Sequence, residues 1–413
     1  MGRSVNQRTQ QKRASAPRNA RVQSKTVRPK NAAAGVMSRT GVVQKGQMDK
    51  ELLLIIGVML LFGLVMVASA SSVTALYSHG DSLYFFKKQI LVAILGFAAM
   101  FVVSKVDYHF LLKPAVLFPA GLITWFVTLA VAFVGEDIYG ARRWINIAGF
   151  SFQPSELGKI VAVLIFAYFL SQMTREALHK FVPSCAVPLG ILAVFVLPLL
   201  LQPHKSATIV ICAVVLIMIY VAGANIKNYL LFVPLAIPVL LYLIFKDGYS
   251  SDRIESFFNP FADPQGSGYQ AIQSLYAIGS GGLFGTGLGR SVQKHLYIPE
   301  PQNDFIFAII CEELGLIGAL LVIILFIALF VRCVKIAMEA PDKAGTLIVV
   351  GMTALIMVQA ITNIAVVTGV VPVTGMMLPF FSAGGTSLLF TLAGMGIVFN
   401  ISRQSKRAVT PPK

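Results

Sequence analysis

The sequence predicts an all-α polytopic membrane protein of about ten transmembrane helices, with a large extracytoplasmic loop between helices 7 and 8. Three observations predict it. The composition is 56% hydrophobic and only 13% charged, with mean hydropathy +0.76, far more apolar than a soluble globular chain. Apolar runs of the length that crosses hydrocarbon recur from Glu51 onward. Between them, Lys and Arg are abundant in alternate loops, as expected for helices that cross back and forth under the positive-inside rule.

The chain opens with a basic stretch, residues 1–48, that has no acidic residue before Asp49 and no apolar periodicity. It reads as a disordered cytoplasmic tail beside anionic lipid. Much of the net charge of +16 lies here, which argues for a topogenic role and against a nucleic-acid site. No short apolar region with a small-residue cleavage site precedes Leu52, so no cleaved signal peptide is expected. The membrane body, residues 49–402, divides into spans at 51–70, 86–103, 114–134, 155–171, 183–201, 206–222, 228–245, 304–331, 344–366 and 381–401. Residues 403–413 form a short basic cytoplasmic tail. Prolines within spans (Pro188 and Pro198, Pro234 and Pro238) require neighbouring helices to satisfy the freed carbonyls, so a packed bundle is expected.

An even number of spans places both termini on one side, and the basic tail makes that side the cytoplasm. The inside loops then carry Lys105, Lys113, Arg175, Lys180, Lys227, Arg332, Lys335 and Lys343. The cations left outside are Arg142, Arg143, Lys205 and, in the loop 246–303, Arg253, Arg290 and Lys294. Their position runs against topology and suggests an anionic ligand. The four cysteines are scattered without metal-ligand or disulfide spacing and read as small core residues.

Within the long loop, Tyr269, Ile272, Leu275 and Tyr276 recur at helical spacing, the pattern of a short helix lying on the bilayer surface. GSGGLFGTGLGRS follows, either a flexible turn or a backbone cradle for a phosphate group; without a preceding strand or a GK[ST] run it is no nucleotide motif. Asp304, after Pro299, Pro301 and Asn303, falls at the first turn of a helix. On its own it reads as a capping residue, and it is also a carboxylate able to accept a proton. Glu312 and Glu313 lie two turns further in, where carboxylates face a partner or a cavity. Glu156 and Lys159, at i and i+3, can pair on one helix face. Arg142 and Arg143 suit phosphate, and Trp144 suits the headgroup level. Late in the chain, the Gly/Pro break of PVTGMMLPFFSAGGTSLL is either small-residue helix packing or an irregular cavity wall.

Four runs carry a family resemblance: GARRWINIAGFSFQPSELGKI, FFNPFADPQGSGYQAIQSLYAIGSGGLFGTGLG, YIPEPQNDFIFAIICEELGLIG and NIAVVTGVVPVTGMMLPFFSAGGTSLL. Together they resemble the SEDS family of cell-wall polymerases (shape, elongation, division and sporulation), nearest its FtsW and SpoVE branch. The resemblance spans Glu51 to Ser402. It implies about ten transmembrane helices and a peptidoglycan glycosyltransferase that polymerises lipid II and releases undecaprenyl pyrophosphate. It maps the family's essential aspartate onto Asp304 and the Glu and Lys of its QPSExxK run onto Glu156 and Lys159. Asp304 is then the expected general base, with inversion at the donor carbon. Arg142, Arg143 and Lys159, with Lys294 or a divalent cation (Mg or Mn), are candidates to hold the pyrophosphate, and Glu312 joins the substrate-binding set. Two departures touch this site: Gln302 and Asn303 stand where the family commonly has His and Thr, and Ala383 replaces a Tyr. A lipid II flippase is the rival class, and a structural scaffold of the division machinery a third. The chain carries no transpeptidase-sized soluble domain. The resemblance therefore implies a class B penicillin-binding protein as partner, with other divisome proteins, at the division septum.

Overall fold

The computed structural model describes residues 47–138, 141–147, 150–202, 204–225, 227–228, 253 and 255–405. The span expected at 228–245, the loop start at 246–252, most of the basic N-terminal tail and the last residues of the C-terminal tail lie outside these.

The described residues form a helical bundle with eight helices long and apolar enough to cross a membrane, and a ninth, shorter apolar helix. In chain order the helices are α1 (Lys50–His79), α2 (Tyr84–Lys105), the short α3 (Tyr108–Leu111), α4 (Pro114–Val134), α5 (Pro154–Gln172), the short α6 (Arg175–His179), α7 (Val187–Leu201), α8 (Lys205–Val221), α9 (Tyr269–Gly281), α10 (Ile306–Glu339), α11 (Lys343–Val367) and α12 (Gly385–Gln404). Every described span falls where the apolar runs predict it, and the amphipathic helix of the long loop is α9. Ends are set by ordinary capping: Asp49 accepts from Leu52 N–H at 3.0 Å to start α1, Asp342 accepts from Gly345 N–H at 2.7 Å to start α11, and Gly80, at φ 70°, closes α1. Ahead of Pro188, Val187 N–H reaches back to Val182 O in a widened π turn, a local way to accommodate the proline.

Burial separates centre from rim. About two thirds or more of α5, α11 and α12 is buried (67%, 72% and 67%), against 28% of α2 and of α4. The rim helices expose Leu, Ile and Phe in quantity, among them Leu61, Leu91, Ile94, Leu122, Ile123 and Phe126. Such faces are stable only against lipid. The protein is a multi-pass membrane protein.

Two polar clusters join α1 to α10. At one end Arg332 grips Asp49 through two hydrogen bonds, of 2.9 and 2.6 Å, and also pairs with Glu51. At the other, Ser69 donates to Glu313 at 2.6–2.7 Å and Lys294 pairs with Glu313 at 2.9 Å. The clusters are twenty positions apart along α1 and nineteen along α10. At ~1.5 Å per residue that is roughly 30 Å, the thickness of the hydrocarbon core.

One element departs from the expected helical class. Between α4 and α5 the chain makes a three-stranded antiparallel sheet, β1 (Glu136–Ile138), β2 (Ala141–Ile147) and β3 (Phe150–Phe152), in sequence order. Its register pairs Asp137 with Arg142 and Ile145 with Phe152. Thr386 at the start of α12 donates to Ser151 O at 2.6 Å and anchors the sheet over the bundle end.

The glycine-rich run after α9 is neither of the two things its composition suggested. α10 is broken at Gly315, whose φ of 66° and ψ of −161° are not helical, and the run packs its backbone into the break. Thr286 and Gly287 donate to Glu312 O and Glu313 O at 2.9 and 3.0 Å, while Leu316 N–H donates to Gly282 O at 2.9 Å. These bonds satisfy groups that the break frees within the membrane helix. A Cβ on Gly285, itself at φ 80°, would lie 2.2 Å from Glu313 O, so only glycine fits.

Candidate active site

At the end of the bundle that carries the sheet, an open cavity of about 510 Å³ lies between β2, α5, the start of α8, α11 and the irregular segment 369–384. Arg143 and Trp144 of β2 line it, with the Arg143 guanidinium 5.9 Å from the Trp144 ring. The adjacent Arg142 is exposed and donates to Phe133 O at 3.2 Å. From α5, Glu156 and Lys159 point in and pair at 2.8 Å, both nearly buried. The pair also borders a second, largely apolar cavity of about 360 Å³, which runs between α5, α11 and α12 past Ile160, Met352, Leu355 and Phe390. A cationic chamber thus abuts an apolar cleft, with Glu156, Lys159 and Gln359 common to both.

His204, just ahead of α8, is buried on the same wall. Burial, reinforced by the charges of Arg143 and Lys159, holds its imidazole well below the usual histidine range, so it is neutral at physiological pH. Its Nε2 faces the Gln153 amide nitrogen at 3.4 Å.

Asp304 stands in the turn ahead of α10. It is not a helix cap as its sequence position suggests: the helix begins at Ile306, Phe305 occupies the capping position, and no side chain caps the end. Asn363 of α11 holds the turn, its amide nitrogen donating to Asp304 O at 2.7 Å and to Met376 O at 2.6 Å. The Asp304 carboxylate lies against the cavity wall at Gly375, with Oδ2 3.7 Å from where a Cβ would sit. Burial pushes its carboxyl up to about 6; its own backbone N–H and the Arg253 charge oppose the shift, and Glu300 adds to it. Arg253 is fixed on the same wall by a 2.7 Å bond to Val373 O. A carboxylate of this kind is ionised at neutral pH and basic enough to take a proton.

Among the buried polar atoms without a hydrogen-bond partner in the described residues, His204 Nδ1 lines this cavity; Thr374 Oγ1, Asn363 Oδ1 and Gln302 Oε1 belong to residues outside its lining.

The family model for FtsW, RodA and SpoVE, described as "Cell cycle protein", matches residues 50–407. The chain belongs to that family. Among relatives, stage V sporulation protein E of Bacillus subtilis (strain 168) is 42% identical over 88% of this chain and 99% of its own length. The probable peptidoglycan glycosyltransferase FtsW of Geobacter sp. (strain M18) is 39% identical over 87% and 98%. The fold matches a chain from a structure on the coordination of polymerization and crosslinking by a peptidoglycan synthase complex, with TM-score 0.72, 27% identity and coverage of 87% and 99%. It also matches the rod shape determining protein RodA of Thermus thermophilus, with TM-score 0.64, 26% identity and coverage of 87% and 98%.

In this FtsW/RodA/SpoVE chain, the structure brings Arg143, Glu156 and Lys159 into one cavity and places the Asp304 carboxylate beside Gly375, one of the residues lining it. It separates the other predicted site residues. Glu312 is buried and accepts from Val292 N–H at 2.7 Å and Ser291 Oγ at 2.5 Å, while Lys294 is buried against Glu313. Both hold the glycine-rich run onto α10, away from the cavity, and Arg142 faces outward. Sequence reading missed Gln153 and His204 as cavity residues; the polar run QPHKS ending an apolar span was the available signal for His204. Among the described residues no group of three or more His, Cys, Asp or Glu is placed to hold a metal ion.

Proposed function

We propose that this protein is a peptidoglycan glycosyltransferase that polymerises lipid II. One observation carries the reading: a wall carboxylate raised to about 6 beside a cation-lined chamber that opens into an apolar cleft, within a membrane bundle. Relatives named as probable peptidoglycan glycosyltransferases support the reaction class.

Asp304 takes the proton from the 4-hydroxyl of the acceptor GlcNAc as that oxygen attacks the anomeric carbon of the donor MurNAc. The bond from that carbon to the pyrophosphate breaks, and undecaprenyl pyrophosphate leaves with the electron pair. An α-linked donor giving a β-linked glycan requires inversion, so one base suffices. Arg143 and Lys159 stabilise the charge on the leaving group. Glu156, paired with Lys159 at 2.8 Å, aims it. Among the described residues no group of His, Cys, Asp or Glu is placed as a resident site for Mg or Mn; a divalent cation would arrive bound by the phosphates of the substrate. The apolar cleft beside Lys159 suits a lipid chain.

The active end faces outward and both termini lie in the cytoplasm, in keeping with the alternation of Lys and Arg. Crosslinking falls to a class B penicillin-binding protein, consistent with a structural neighbour drawn from a peptidoglycan synthase complex, and the working site is the division septum with other divisome proteins.

The test is polymerisation of lipid II by the detergent-purified protein. Wild type is expected to make glycan strands, and Asp304→Asn, equally folded, to lose about 10²–10⁴-fold in rate, the usual contribution of a general base. Translocation of the lipid II headgroup with no polymer would instead establish a transporter.

A further inference from the structure

His204 has no part in the chemistry above, yet it is placed to touch the ligand. It is 7% exposed and lines the chamber, and its backbone is fixed on both sides: its N–H donates to Leu199 O at 2.9 Å, and its carbonyl accepts from Thr208 N–H at 3.3 Å and Thr208 Oγ1 at 3.1 Å. Among the described residues, the hydrogen-bond partner of Nε2 is the Gln153 amide nitrogen, which can donate and cannot accept. Nε2 must therefore be the acceptor, and the single ring proton of a neutral imidazole sits on Nδ1. That N–H is buried and has no partner. An unsatisfied buried donor costs roughly 1–3 kcal/mol. Arg143 and Lys159 line the same cavity, where the one carboxylate in the lining, Glu156, is engaged by Lys159, so the chamber favours an anion.

We infer that His204 is a substrate-contacting residue whose Nδ1–H donates a hydrogen bond to an oxygen of a pyrophosphate group held between Arg143 and Lys159. The inference deepens the polymerase reading and rests on it for the identity of the ligand. No proton is transferred: a neutral donor adds a directed hydrogen bond without adding a third positive charge to a confined site. The Gln153 amide, by fixing the tautomer, is the positioning residue for that contact.

The experiment compares wild type with His204→Asn and His204→Leu in detergent. The Asn side-chain nitrogen reaches the same place as Nδ1 and keeps the donor, while Leu keeps bulk and removes it. Binding of undecaprenyl pyrophosphate and of inorganic pyrophosphate is measured directly by calorimetry, alongside kcat and KM for lipid II. A hydrogen bond to a charged group predicts that His204→Leu weakens undecaprenyl pyrophosphate binding and lowers kcat/KM about 10–100-fold, with Asn within about threefold of wild type. Weakening of both probes assigns the contact to the pyrophosphate group itself; weakening of the lipid-linked probe alone assigns it to the lipid-held form. Unchanged affinity for both probes in His204→Leu, or a loss in Leu that Asn does not restore, overturns the inference. Should Leu not fold, failure of the Asn variant to bind as wild type overturns it instead. If wild type makes no polymer while the binding pattern holds, the polymerase reading fails and the anion contact stands.

Discussion

At the scale of single residues, Asp304 illustrates a trade between stability and activity. Its folded pKa of about 6 lies above the ordinary carboxylate value of 3.8. The folded state therefore binds this proton more tightly than the unfolded state; the resulting stability is fully present below pH ~3.8 and lost as pH rises through ~6. Asp304→Asn removes the cost of ionisation. The variant is expected to melt a few degrees above wild type at pH 7.5, with the gap closing toward pH 4, measured by thermal unfolding in detergent. Activity runs the opposite way: the initial polymerisation rate should climb with pH through about 6 and level off above it, because only the ionised carboxylate accepts a proton. Loss of this inflection at an unchanged rate in Asp304→Asn would remove Asp304 from the base role. Lys294 and Glu313 make the contrasting case of buried charges spent on structure. Removing one partner strands the other, so Glu313→Gln is expected to cost on the order of 3–5 kcal/mol. The double change Lys294→Met, Glu313→Leu should cost less than either single one. Denaturant or thermal unfolding of the three variants decides it.

At the scale of elements, the break in α10 and the run that fills it stand or fall together. Gly315 has a backbone conformation that L side chains rarely adopt, and Gly285 sits against the Glu313 carbonyl. Gly285→Ala must push that carbonyl away and lose the bonds from Thr286 and Gly287, so faster amide exchange is expected across 281–294. Exchange measured by mass spectrometry should show protection lost there and kept in α11. These two elements also mark how far the sequence could be read. Helices were legible because hydrocarbon demands a fixed length of apolar residues, a signal that needs no partner. The break was not, since a glycine in an apolar helix looks the same whether it packs, bends or accepts another backbone. The small sheet was legible in principle: WINIAGFSF alternates β-branched and aromatic residues around a turn, the ordinary hairpin signal, here overshadowed by the two arginines. Asp304 looked like a cap because capping residues and functional carboxylates share one position relative to a helix; only the coordinates show the helix starting at Ile306 with Asp304 turned to the wall. Glu312 points to a partner because intramembrane charge implies one, and Lys294 points to an anionic ligand because it is an outside cation against topology; in both cases the partner is the chain itself.

At the scale of the whole molecule, the two polar clusters between α1 and α10 act as a ruler for the membrane. With Arg332 and Asp49 at one boundary, Glu313 and Ser69 fall roughly 30 Å away at the other. Asp304, nine positions beyond Glu313, then lies outside the hydrocarbon. The glycine-rich run hangs at the boundary itself, because its backbone is bonded to Glu312, Glu313 and Leu316. It carries Leu283, Phe284 and Leu288, exposed by 62%, 80% and 55%, and these continue the apolar face that α10 presents through Leu316, Ile317 and Leu320. A continuous apolar face at this depth is stable against acyl chains and costly against water. A nitroxide attached at Phe284→Cys, with Cys185, Cys212, Cys311 and Cys333 replaced by Ala and the protein in liposomes, is therefore expected to collide readily with oxygen and poorly with a water-soluble nickel chelate. One at Ser267→Cys, on the exposed polar turn before α9, should do the reverse. Equal access of the nickel chelate to both positions would move the boundary inward and put the run in water, and the depth assigned to Asp304 would have to move with it.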